Sequence, residues 1–86
     1  MIVQCDVYRS LRHDNMYLYV REGDGLSRVP EALLARFGPG EKTLSFELTP
    51  KRRLAKEDPV SVLGNLEAQG YHLQLPSFRT QQTFVP

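Results

Sequence analysis

The stretch Asp58 to Pro76, DPVSVLGNLEAQGYHLQLP, leaves the chain little choice of local structure. Asp58 can accept hydrogen bonds from the free amides of a first helical turn, and Pro59 takes the first helical position, where a missing N–H costs nothing. Pro59, Val62, Leu63 and Leu66 fall at i, i+3, i+4 and i+7 and form one apolar stripe. Gly70 can adopt the left-handed conformation that stops a helix. Tyr71, Leu73 and Leu75 then alternate with His72 and Gln74, the period of a half-buried strand. Pro76 ends it, because proline cannot donate to a sheet ladder. Gly64 weakens the helix by about 1 kcal/mol relative to alanine. It reads as a tolerated surface glycine rather than as a point of close backbone approach.

The same punctuation recurs upstream. Pro30, Leu33, Leu34 and Phe37 repeat the stripe, and Gly38-Pro39-Gly40 stops it. Ser27 and Val29 compete as the residue that caps its start. Before it, Val3, Cys5 and Val7 share one face of a strand, against Gln4, Asp6 and Tyr8. Met16, Leu18 and Val20 alternate with Tyr17, Tyr19 and Arg21, and the polar run Ser10 to Asn15 joins the two strands as a hairpin. Both faces of this hairpin carry bulky groups, so it expects cover on both sides. Lys42 to Leu48 is a third strand with Leu44, Phe46 and Leu48 facing inward, and Lys51 to Glu57 is expected to form one helical turn.

The order is therefore β-β-α-β-(short α)-α-β. It predicts an α/β fold: a small single-domain α/β/α sandwich with a mixed sheet of about four strands, or a two-layer α+β fold if both helices share a face. The domain spans 1–76, and 77–86 reads as an extended or disordered tail.

With 86 residues there is room for one core. Eleven Lys and Arg against ten Asp and Glu leave a net charge of +1, unlike the strongly basic balance of a dedicated nucleic-acid binder, although a local basic patch stays compatible with it. Cys5 is the only cysteine, which excludes an internal disulfide and fits a reducing cytosol. No apolar run approaches the ~18 residues of a membrane helix, and the N-terminus lacks the basic lead and apolar stretch of a signal peptide. The expected location is cytoplasmic.

Four segments together resemble a known family. YRSLRHDNMYLYV (Tyr8 to Val20), SRVPEALLARFG (Ser27 to Gly38), KRRLA (Lys51 to Ala55) and GYHLQLP (Gly70 to Pro76) are similar in order and spacing to the YcgL-domain family of small bacterial proteins. The resemblance implies an α/β/α sandwich and a cytoplasmic protein of gammaproteobacterial type. It implies no activity and no catalytic residues. Genes of similar proteins often lie near a ribonuclease D gene, which points towards RNA metabolism. The tail here is shorter than in longer members of the family.

The residues offer little conventional chemistry. His13 and His72 lie far apart and Cys5 has no CxxC partner, so no metal site and no cofactor is expected. Cys5 would need a base to act as a nucleophile, and His72 could serve only if the first and last strands were neighbours. Cys5 reads better as a small buried hydrophobe. Glu22 with Asp24, and Glu57 with Asp58, read as loop and cap residues. No phosphate-loop, zinc-protease or nucleophile-elbow pattern occurs, so an enzyme is not expected.

What stands out is positive charge near aromatic rings. Lys51, Arg52, Arg53 and Lys56 form a run without an intervening acid, Arg9 and Arg12 flank the hairpin turn, and Tyr17 and Tyr19 share a strand face. Such a surface can stack bases and hold phosphates; the competing reading is a solvated basic face with tyrosines packed beneath a helix. The leading expectation is a non-catalytic accessory or adaptor domain acting through contact with a protein partner, as a monomer or weak homodimer. The alternative is weak binding of single-stranded RNA through the basic run.

Overall fold

The computed structural model describes residues 2–54 and 57–75. Lys56, Pro76 and the tail 77–86 therefore lie outside the described residues. The elements are β1 (Val3–Ser10), β2 (Tyr17–Arg21), α1 (Glu31–Phe37), β3 (Gly40–Leu48), α2 (Pro59–Gln69) and β4 (Tyr71–Gln74). They form one four-stranded sheet in the order β3-β1-β2-β4 with a helix on each face. The α/β/α sandwich holds, and the two-layer alternative falls.

Two apolar clusters show why both hairpin faces are bulky. Val62, Leu63 and Leu66 of α2 pack on Cys5, Val7, Tyr19 and Leu48. Phe37 of α1, with Leu33 and Leu34 half-buried beside it, packs on the opposite set, Met16, Leu18 and Val20. A period of two divides each strand between the layers, so every residue of the hairpin core has a helix to meet.

Adjacent strands are all antiparallel, and the expected mixed sheet is not found. The crossover through α1 does carry β3 back in the direction of β2. It lands on the far side of β1, however, so the two parallel strands never touch. The connection through α2 then runs to the opposite edge, beside β2.

The caps follow local chemistry. Asp58 accepts from the Val60 amide and from the Ser61 hydroxyl, with Pro59 at the first helical position. Gly70 takes φ 91° and returns its N–H to Asn65 O and Leu66 O. Its backbone also passes close under Arg28, where an added Cβ would stand 2.8 Å from the Arg28 Cβ. At α1 neither Ser27 nor Val29 caps the helix. Pro30 does so by backbone alone, and the Ser27 and Val29 amides are spent on turns to Asp24 O and Leu26 O. Val29 instead joins Leu34 in one apolar cluster, a hydrophobic staple that fixes the entry of the helix.

The helical turn expected from Lys51 is absent among the described residues 51–54. The Thr49 hydroxyl accepts from the Lys51 amide and the Thr49 carbonyl from the Arg52 amide, a single turn. Beyond it the chain is irregular as Leu54 reaches the α2-side core. Leu44, expected inward, is 58% exposed, because α2 covers only part of its sheet face.

Candidate functional site

The uncovered part of that face is a groove of about 580 Å³. Strand register puts Arg9 beside Tyr17 and Tyr17 beside Gln74, while Tyr19 lies deeper, beside Val7 and His72. Phe46 and Leu44 of β3 complete the floor, and Arg52, Arg53 and Leu54 of the segment after β3 form a wall. Of the residues that sequence reasoning proposed, Arg9, Tyr17, Tyr19, Arg52 and Arg53 meet here.

Among the described residues, three arginines and no Asp or Glu line the groove. Arg52 lies over the Phe46 ring, its Cζ 4.6 Å from the ring centroid, a cation–π contact. Arg9 is held by Glu41 across the strand pair at 2.8 Å. Arg53 is exposed. Tyr17 is half-buried and offers ring surface, whereas Tyr19 is nearly covered and donates its hydroxyl to Gln74 Oε1 at 2.8 Å. Burial, with a smaller contribution from the Glu57 charge, pushes the Tyr19 hydroxyl up to about 12, so it stays a phenol at neutral pH. Tyr19 is floor rather than reagent.

Behind the floor lies a polar strut. His72 Nδ1 meets Asn65 Nδ2 at 2.8 Å, and His72 Nε2 meets a Glu57 carboxylate oxygen. Asn65 can only donate through that amide nitrogen, so Nδ1 accepts and Nε2 carries the proton. Both ring nitrogens are engaged, and the imidazole ties β4 to Asn65 within α2 and to Glu57 just before it. Its ring meets Tyr19 edge-on at 5.6 Å.

Cys5 lies on β1 and His72 on β4, with β2 between them, so the strands are not the neighbours that a cysteine–histidine pair would need. Burial, then the Asp6 carboxylate, raise the thiol to about 12. Cys5 is core packing. Among the described residues no three His, Cys, Asp or Glu side chains gather as a metal site requires.

Arg12 and Lys51 do not join the groove. Arg12 donates to Ala35 O at 2.9 Å and His13 Nε2 meets Arg36 O at 3.0 Å, so both serve the free carbonyls at the end of α1. Ser10, buried beside them, donates to Phe37 O and accepts from the Arg12 and His13 amides. Lys51 is exposed outside the groove lining. Phe46, Leu54, Gln74 and Asn15 line the groove and were not singled out from sequence. Only the period of β3 hinted at Phe46; Gln74 arrives through strand order, and Asn15 and Leu54 through the path of the hairpin turn and of the segment after β3, none of which sequence spacing encodes.

With the geometry in place, comparison with known proteins decides the family. The YcgL domain matches residues 5–77. The chain belongs to the YcgL domain family. It is 57% identical over 72 residues to a YcgL domain-containing protein of Stutzerimonas stutzeri (strain A1501), covering 84% of this chain and 74% of the relative. YcgL domain-containing proteins of Pseudomonas putida (strain KT2440) and Azotobacter vinelandii (strain DJ) are 56% and 57% identical over the same shares. These names carry the YcgL domain and state no activity. Among the described residues no helix is long and apolar enough to cross a membrane.

Proposed function

We propose that this YcgL domain is a non-catalytic cytoplasmic accessory protein that binds a short stretch of single-stranded RNA in the groove. The observation that carries the reading is the convergence of Arg9, Arg52 and Arg53 with Tyr17, Tyr19 and Phe46 in a lining that holds no Asp or Glu among the described residues. Arginines can neutralise phosphates, and the Tyr17 ring and the Arg52 guanidinium plane are stacking surfaces for bases. The volume lies within the range of ligand clefts, about 300–1,000 Å³, and suits a short segment rather than a long track. A near-neutral chain can still bind in this way, because the charge that matters is local.

The test is an anisotropy titration of the full chain with labelled oligouridylate at low and physiological salt. Three neutralised phosphates, at about −0.7 each, correspond to a slope near −2 in log K against log salt. Arg52→Glu with Arg53→Glu should abolish binding while lowering the melting temperature by no more than a few degrees, the cost of the lost Arg52–Phe46 contact. Tyr17→Ala should weaken it by about 5- to 150-fold, the equivalent of stacking one base at about 1–3 kcal/mol. No binding at low salt, or a double variant that still binds, rejects the reading.

The protein-contact reading keeps one supporting observation. β3 is an edge strand of nine residues with Leu44 exposed, a surface that can add a partner's strand. Its bulge and its charges Glu41, Lys42 and Glu47 are features that discourage such pairing, which is why the groove is preferred. Recovery of a stoichiometric protein partner with the tagged chain, lost on Leu44→Lys, would favour the edge.

A further inference from the structure

We propose that Glu41 is a built-in competitor for the groove's anion, holding Arg9 until a phosphate displaces it. This role rests on the groove being an RNA site, and it originates in the strand register. Val7 stands opposite Leu44, and continuing that register without interruption would set Thr43 opposite Tyr8 and Lys42 opposite Arg9. The register instead shifts between Val7 and Tyr8, so Lys42 stands opposite Tyr8 and Glu41 opposite Arg9.

One extra residue in β3 therefore exchanges a like charge for an opposite one beside Arg9. The Arg9 and Glu41 side chains meet at 2.8 Å while remaining 45% and 55% exposed. The displaced Lys42 turns to the other face of the sheet, where it approaches the buried Asp6 carboxylate at 3.6 Å. Because the Arg9–Glu41 pair is solvated, its partner is exchangeable. A phosphodiester carries the same single negative charge as the carboxylate and offers the guanidinium two oxygens that can accept in parallel. Glu41 thus holds the side chain at the groove's rim and lowers the affinity of any anion that needs Arg9, by the same factor for each.

The experiment is the same oligouridylate titration, at low salt, with wild type, Glu41→Gln, Glu47→Gln, Arg9→Gln and the Arg9→Gln/Glu41→Gln double variant. Glu47 is exposed on the same strand, two residues beyond Ser45 on the Lys42 face, and controls for the change in net charge. Exposed pairs of this kind shift an equilibrium about two- to fivefold. Glu41→Gln should tighten binding by that factor, Glu47→Gln by clearly less, and Glu41→Gln should give no gain once Arg9 is Gln. Wild type that binds while Glu41→Gln binds no tighter overturns the competitor role and leaves the groove standing. So does a gain that survives the loss of Arg9. If no variant binds at low salt, the groove reading falls and the competitor with it.

Discussion

Cys5 and Tyr19 share the apolar cluster beneath α2, and burial raises both to about 12, from ordinary values of 9.0 and 10.0. Each keeps its proton in the folded protein over a range where the unfolded chain has lost it. The unfolded state then binds fewer protons, so stability falls as pH rises, beginning near pH 9 for Cys5 and near pH 10 for Tyr19 and continuing to about 12. The loss amounts to about 1.4 kcal/mol per pH unit for each group while it lasts. Urea unfolding between pH 7 and pH 11 should show that decline, flatter in Cys5→Ala over pH 9 to 10. An unchanged profile in Cys5→Ala would mean that the thiol is not the group responsible. At this scale the sequence was informative about Cys5: its place among Val3 and Val7 marked it as packing material. It was silent on the Tyr19 hydroxyl, whose partner Gln74 lies 55 positions away.

Within α2 and at its end, two glycines have opposite meanings, and each follows from the helix around it. Gly64 is exposed, and a Cβ added there would meet no neighbouring atom within 4 Å, so it is the tolerated surface glycine that its setting implied. Gly64→Ala should stabilise the protein by about 0.5–1 kcal/mol through helix propensity and a less disordered unfolded chain. Gly70 ends the helix at φ 91° beneath Arg28. Gly70→Ala should cost about 1–2 kcal/mol for the left-handed backbone, plus whatever is needed to move Arg28. Thermal melts of the two variants should move in opposite directions; a loss of stability in Gly64→Ala would contradict the open surface assigned to it. Both helical stripes and the Asp58 cap were legible because they depend on neighbours within one or two turns. The start of α1 was not, because the competing turns of Ser27 and Val29 are set by the loop that precedes it.

In the whole molecule one sheet is shared by two cores, and neither helix has another surface on which to bury its stripe. Phe37 and Leu66 are both fully buried, on opposite faces. Phe37→Ala should cost about 3–5 kcal/mol and Leu66→Ala about 2–5 kcal/mol. In a domain this small both should lower the midpoint of a single unfolding transition, seen alike by far-UV and tyrosine signals. Two separate transitions would show that the faces do not fold as a unit. The groove belongs to this scale as well. α2 is 11 residues long and leaves one end of its sheet face open, and the chain after β3 turns back along that opening, bringing Arg52 and Arg53 to residues as distant in sequence as Arg9 and Tyr17.

Periodicity, caps and breakers determined the two helices, the four strands and the two bulky faces of the hairpin, since each depends on residues a few positions apart; that the helices lie on opposite faces was settled by the structure. The strand order, the wholly antiparallel pairing, the bulge that sets Glu41 against Arg9, and the meeting of arginines with aromatic rings were decided only by the tertiary structure. These depend on which edge of β1 each crossover reaches and on how far α2 extends over the sheet. Such choices arise from burying both helical stripes at once, and no local run of residues encodes them.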